Sequence, residues 1–249
     1  MAGHNKWSKV KHIKAKTDAQ KGKAFSKVVR EIIVAAKNGG GDPSMNAALR
    51  LAIQKAKDVN MPKDNVKRAI EKGCGGGEGT NLEEITYEAY GPGGVAILID
   101  TLTDNRNRTI PNIRTIVSKA GGNMANQGSV AYLFETRGLI LFDSDADEEK
   151  VMEIATENGA EDIDIQDDGS IEVQVSPQEY EPVRQAFEDA GIVYLSADLS
   201  KVPQTQTPLD ETFARKVFKL IEALEEDDDV QNVYSNYQVS DDIMETILE

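Results

Sequence analysis

EITYEAYGPGGVAILIDTL, residues 84–102, is where the chain changes period. Before it, apolar residues recur at helical spacing. From Glu84 to Tyr90 and from Val95 to Leu102 the pattern instead suits strands rich in β-branched and aromatic side chains. Gly91-Pro92-Gly93-Gly94 between them supplies the proline and the permissive glycines of a tight turn. The segment therefore predicts a β-hairpin that opens an α/β domain.

Downstream, Arg106–Ala120 reads as a helix with Ile110, Ile113, Ile116 and Val117 inward, and Ser129–Glu135 as a further strand. The order then becomes strand (Leu139–Phe142), helix (Glu148–Asn158), strand (Asp162–Gln166), strand (Ile171–Val175), helix (Pro177–Ala190) and strand (Ile192–Leu199). That order is βαββαβ, the ferredoxin-like pattern. Val202–Pro208 reads as a linker, followed by a helix (Leu209–Leu224) and a strand (Val230–Val239). Residues 81–135 alone supply too few elements for a two-layer domain, so the economical topology pairs them with 204–249 around an insertion at 136–203.

Upstream, Phe25, Val28, Val29, Ile32, Ile33 and Ala36 form one apolar helix stripe that stops at Asn38-Gly39-Gly40-Gly41. Ala48, Leu49, Ala52, Ile53 and Ala56 form a second, ended by Asn60-Met61-Pro62. Val66, Ala69 and Ile70 mark a short third helix. Gly73-Cys74-Gly75-Gly76-Gly77-Glu78-Gly79 lacks the Gly-Lys-Ser/Thr ending of a phosphate loop and reads as a flexible linker. The expected fold class is α+β. A basic three-helix domain (1–80) precedes two ferredoxin-like α/β domains, one inserted in the other.

Charge divides the chain at the same place. Residues 1–80 carry 17 basic and 7 acidic side chains, whereas 81–249 carry 11 basic and 36 acidic ones. An acidic body repels a polyanion, so nucleic-acid contact is expected at the basic end alone. Within it, Lys6, Trp7, Lys9, Lys11, His12, Lys14 and Lys16 interleave cations with an indole, which suits phosphates and stacked bases. Lys23, Lys27, Arg30, Lys63, Lys67 and Arg68 extend the set across the helices. Asn60-Met61-Pro62 fits either a helix-turn-helix corner or a plain helical corner, and only Asn65 offers an amide for adenine. Asp104-Asn105-Arg106-Asn107-Arg108-Thr109 stands where a strand hands over to a helix. Arg106 and Arg108 there suit a phosphate cradle, and the segment equally suits an ordinary helix cap.

No apolar run approaches a membrane span, and the start lacks the apolar segment of a secretory signal. A single cysteine, Cys74, allows no internal disulfide; a cytoplasmic protein is expected. Both histidines, His4 and His12, sit in the basic arm. No nucleophile–base pair, metal cluster or cofactor cradle emerges, so neither catalysis nor a cofactor is expected. Asp143-Ser144-Asp145-Ala146-Asp147 begins like a calcium loop but has Glu148 where glycine is required. Glu225–Asp229 reads as a solvated helix end.

The openings Met1-Ala2-Gly3-His4-Asn5-Lys6-Trp7-Ser8, Lys11-His12 and Phe25-Ser26-Lys27 resemble the YebC/PmpR family. So do Met61-Pro62-Lys63-Asp64-Asn65-Val66, Tyr87–Gly94 and Thr103–Thr109, and the likeness runs along essentially the whole chain. The resemblance implies three domains, a cytoplasmic protein and a role in gene expression. Members of that family are described as DNA-binding transcriptional regulators, while a mitochondrial relative is a translational activator and some bacterial members act on stalled ribosomes. Nucleic acid, as DNA or ribosomal RNA, is thus the expected partner, with the ribosome as a second candidate. A protein–protein adaptor is a further reading, since ferredoxin-like domains often serve that way.

Overall fold

A computed structural model describes residues 18–75, 81–166 and 168–248. Helix α1 (Asp18–Gly39) packs against α2 (Ala47–Asp58) and α3 (Lys63–Gly75). Val28, Ile32, Ile33, Ala36, Leu49, Ala52, Ala56 and Ala69 make their shared core. A fully buried side chain such as Ile32 or Leu49 contributes about 1.5–3 kcal/mol. Asn46 joins two of these helices. Its side-chain oxygen accepts from Leu49 N–H at 3.0 Å, capping α2, and its amide donates to Ala35 O at 2.7 Å and Gly40 O at 2.8 Å. At the next corner Asn60 adopts a left-handed φ of 56°, which asparagine tolerates better than most residues.

The glycine run after α3 does not act as linker throughout. The helix continues to Gly75, because Gly73 lets its backbone touch α1. A Cβ there would stand 2.5 Å from Ile33 O.

The expected hairpin forms. β1 (Glu83–Tyr90) pairs antiparallel with β2 (Ala96–Thr103), with Tyr90 opposite Ala96 and Glu83 opposite Thr103. A 3-10 turn over Pro92–Gly94 joins them, with φ of 75° at Gly93 and 79° at Gly94. Then come α4 (Arg106–Lys119) and β3 (Asn123–Met124), and later α7 (Glu211–Glu225) and β9 (Val230–Ser235). The sheet order is β3-β1-β2-β9. Numbered in chain order within the sheet, that is 3-1-2-4. Ile97, Ile99, Ile113, Val117, Val217, Ile221 and Leu224 fill its core.

Residues 132–206 form a compact unit of their own. Its elements are β4 (Phe134–Phe142), α5 (Glu148–Glu157), β5 (Asp162–Ile165), β6 (Ile171–Val175), α6 (Tyr180–Asp189) and β7 (Ser196–Pro203). The antiparallel order β5-β6-β4-β7 is 2-3-1-4, the ferredoxin-like arrangement. Under the helices Phe142 and Phe187 meet edge to face, with centroids 4.7 Å apart.

Several expected boundaries move for physical reasons. Ser129–Leu133 is loop and 3-10 turn, not strand, because the Glu88 carboxylate accepts from Gly128, Val130 and Ala131 N–H and replaces a ladder partner. The strand expected at Ile192–Leu199 lies at Ser196–Pro203, which leaves Val193 85% exposed and turns the start of the expected linker into sheet. The last strand breaks at Asn236, whose side chain accepts from Ala96 N–H at 2.8 Å. Two-residue strands β8 (Thr207–Pro208) and β10 (Tyr237–Gln238) pair in parallel, and a closing helix α8 (Asp241–Leu248), absent from the sequence reading, buries Met244.

Gly93→Ala tests the turn. The new Cβ would meet Leu209 Cδ2 at 2.7 Å and hold a left-handed φ. A loss of about 1–3 kcal/mol in urea unfolding is expected; an unchanged midpoint would contradict the described turn.

Candidate nucleic-acid interface

Lysines and arginines bind phosphate only when they have no better partner, so each expected contact residue is judged by what it touches. Lys6, Trp7, Lys9, Lys11, His12, Lys14 and Lys16 lie outside the described residues. Lys23, Lys27 and Arg30 project from α1 onto the end of α7. Lys23 Nζ donates to Glu226 O at 3.2 Å and Lys27 Nζ to Glu225 O at 3.0 Å. Arg30 Nη1 donates to Asp228 O at 2.5 Å, to Leu102 O at 3.3 Å and to Asp229 Oδ1 at 3.2 Å. Helix C-termini expose unpaired carbonyls and a partial negative charge, which these cations satisfy.

Asp229 is the centre of this contact. Its residue is only 3% exposed. Arg108 Nη2 reaches both of its oxygens, at 2.9 and 2.8 Å, and Thr109 Oγ1 donates to Oδ2 at 2.8 Å. Thr103 Oγ1 stands 3.3 Å from Oδ2 and accepts from Asn105 N–H. Burial alone would raise the Asp229 pKa. Hydrogen bonds from Arg108 and Thr109, with the charges of Arg108 and Arg30, outweigh it and hold the carboxyl below its ordinary value.

The same network involves Asp104–Thr109. Asn105 caps α4 by accepting from Arg108 N–H at 3.2 Å, and Arg108 is committed to Asp229 and Asp104. The segment is a helix cap with an internal ion pair. Arg106 is exposed and acts electrostatically on the Tyr87 phenol, whose pKa is nevertheless raised, chiefly by burial.

Helix α3 differs. Lys63, Lys67, Arg68 and Lys72 are all exposed. Spacings of four and five residues place them along adjoining rows of one helix surface. The described partner of this group is Glu71, 3.9 Å from Lys67 and itself exposed, a weak pair. Lys72 escaped the sequence reading because it abuts the glycine run; once α3 reaches Gly75, it belongs to the stripe. Asn65 is half-buried on the same helix.

Glu88 also escaped. Within Tyr87–Gly94 it looks like an outward strand residue, yet it is 5% exposed. Gly128, Val130 and Ala131 N–H donate to it at 2.5, 2.6 and 3.1 Å. Burial raises its pKa, but these hydrogen bonds, with one from Ser129, prevail and lower it. The 132–206 unit offers phosphate little: in its groove Arg137 pairs with Glu135 and Glu161.

Residues 5–76 match the TACO1/YebC protein N-terminal domain, and residues 82–237 match the TACO1/YebC second and third domain. The chain belongs to the TACO1/YebC family. A protein of Hahella chejuensis named "Probable transcriptional regulatory protein" is 53% identical over 247 residues, covering 99% of both chains. A relative of the same name from Trichlorobacter lovleyi is 50% identical over 248 residues, covering all of both chains. The crystal structure of a conserved hypothetical protein from Aquifex aeolicus superposes with a TM-score of 0.83 at 44% identity, covering 91% of this chain and 94% of that one. The family and its mixed helix-and-sheet fold are thereby shown.

The two buried carboxylates give a pH test. Asp229 and Glu88 both have native pKa values below their unfolded ones, about 3.9 and 4.3. Their stabilisation is present above the unfolded values and is lost as pH falls through the native ones. Asp229→Asn should cost about 3 kcal/mol near neutrality, and Glu88→Gln about 1–3 kcal/mol. Both variants should lose less further stability than wild type between pH 5 and acid, in urea titrations at stepped pH. Parallel pH profiles would contradict the assigned networks.

Proposed function

We propose that the chain is a non-enzymatic regulator of gene expression that binds nucleic acid through its N-terminal helical domain. One observation carries the reading: α3 presents Lys63, Lys67, Arg68 and Lys72 to solvent in a domain with net positive charge, while the rest of the chain is strongly acidic. Four cations on a short helix act as point charges on a phosphate backbone. The basic arm at Lys6–Lys16, with Trp7, would add charge and a stacking face. Names of the relatives favour transcription and hence DNA as the target.

A second reading, ribosomal RNA as the target in translation, is favoured by a specific feature of α3. Its single amide, Asn65, is half-buried, so the helix carries charge without a base-reading set. Phosphate contacts position a protein and leave sequence unread. Structured RNA, recognised by shape and unstacked bases, suits such a surface and an arm containing Trp7.

Crosslinking in growing cells, followed by sequencing of the attached nucleic acid, separates the two. Discrete chromosomal sites support the DNA target; enrichment of one ribosomal RNA locus supports the second reading. With purified protein, replacing Lys63, Lys67, Arg68 and Lys72 by Gln should lower the slope of log affinity against log salt by about 3–4 for duplex DNA and about 3 for single strands. An unchanged slope would remove α3 from the interface.

A further inference from the structure

Five consecutive carboxylates, Glu225-Glu226-Asp227-Asp228-Asp229, run through the last residue of α7 and the turn after it. The last turn of α7 holds no basic residue. A helix C-terminus is its negative pole, so this run sits where anions are least welcome. Its compensation comes from another domain. Lys23, Lys27 and Arg30 stand at i, i+4 and i+7 on α1, one above the other on a single face, and all three donate to residues of this run. Three of these bonds go to main-chain carbonyls, of Glu226, Glu225 and Asp228, and one to the Asp229 carboxylate, while the neighbouring carboxylates add negative potential to the same place, as a phosphodiester backbone would beside a basic helix.

We propose that Glu225–Asp229 is an internal polyanion that occupies the Lys23, Lys27 and Arg30 face of α1, and that nucleic acid must displace it to use that face. The proposal rests on the nucleic-acid reading of the helical domain given above. Three structural features make the exchange feasible. Asp229 keeps Arg108, Thr109 and Thr103 around it when Arg30 leaves, so no buried carboxylate is stranded. Three of the five described bonds from these cations go to oxygens of the turn at residues 226–229, where Glu226 and Asp228 are exposed. Arg30 itself retains 28% of its side-chain exposure. The exposed α3 stripe would make the first contact, and the α1 face would join once the acidic run is displaced. Nucleic acid would then act as the ligand of a two-state contact, favouring the open state by its extra contacts there.

The test compares full-length chains with equal net charge. One carries Glu225→Gln, Glu226→Gln and Asp228→Asn and keeps Asp229. The control carries Glu149→Gln, Glu153→Gln and Glu157→Gln on exposed positions of α5. Binding is measured by fluorescence anisotropy with a 20-nucleotide single-stranded RNA and a duplex DNA of the same sequence. The first variant should bind about tenfold tighter than the control, within the usual range of coupling between sites. In a Cys74→Ser background, joining Lys23→Cys to Glu226→Cys with a short bismaleimide should weaken binding by a similar factor. Pulsed EPR between labels at Asn38→Cys and Lys216→Cys, also in Cys74→Ser, should show a changed distance when the probe is added. Equal binding by variant and control, or a saturated protein with an unchanged label distance, would overturn the internal polyanion and leave the nucleic-acid function standing. Binding of neither probe by any chain would overturn both.

Discussion

A carboxylate almost removed from water must be surrounded by donors, and Asp229 is. Arg108 and Thr109 come from α4, Thr103 from the end of β2 and Arg30 from α1, so one side chain ties a strand and two helices together. Loss of Arg108 would strand the buried charge, whereas loss of Arg30 alone leaves Arg108, Thr109 and Thr103 on it. The helical domain is therefore held by a small number of strong bonds at one end of α7. Its own core, around Ile32 and Leu49, belongs to its three helices.

The same contact divides the basic residues into two classes. Cations on α1 face the carbonyls and carboxylates of Glu225–Asp229, while those on α3 face solvent. Sequence charge alone would have counted both as one surface. Geometry makes α3 the surface available at once and α1 a surface already occupied. Acidic character in the rest of the chain then confines any polyanion to this end, since approach elsewhere is opposed.

Much of the fold was legible. Helical periodicity around Val28–Ala36, the glycine–proline hairpin at 91–94 and the βαββαβ order each report a local physical requirement, and each element forms. What stayed hidden depends on distant partners. Nothing near Glu88 shows that its oxygens will collect three N–H groups forty residues away, and so Ser129–Glu135 looked like strand throughout. Asp229 follows four acids and reads as solvated, although Arg108 and Arg30 bury it. Arg108 reads equally well as phosphate ligand or cap residue, because its partner Asp229 lies 121 residues further on. Lys72 is hidden by a shorter route: the glycines signal a linker, although Gly73 is there for close packing against α1.

Mass spectrometry of peptide–nucleotide adducts after ultraviolet crosslinking in living cells tests the central claim most directly. Nucleotide adducts concentrated within residues 1–75, including peptides that span Lys63–Lys72, are the expected result. Adducts confined to residues 132–206, or absent from the helical domain at full crosslinking yield, would contradict it.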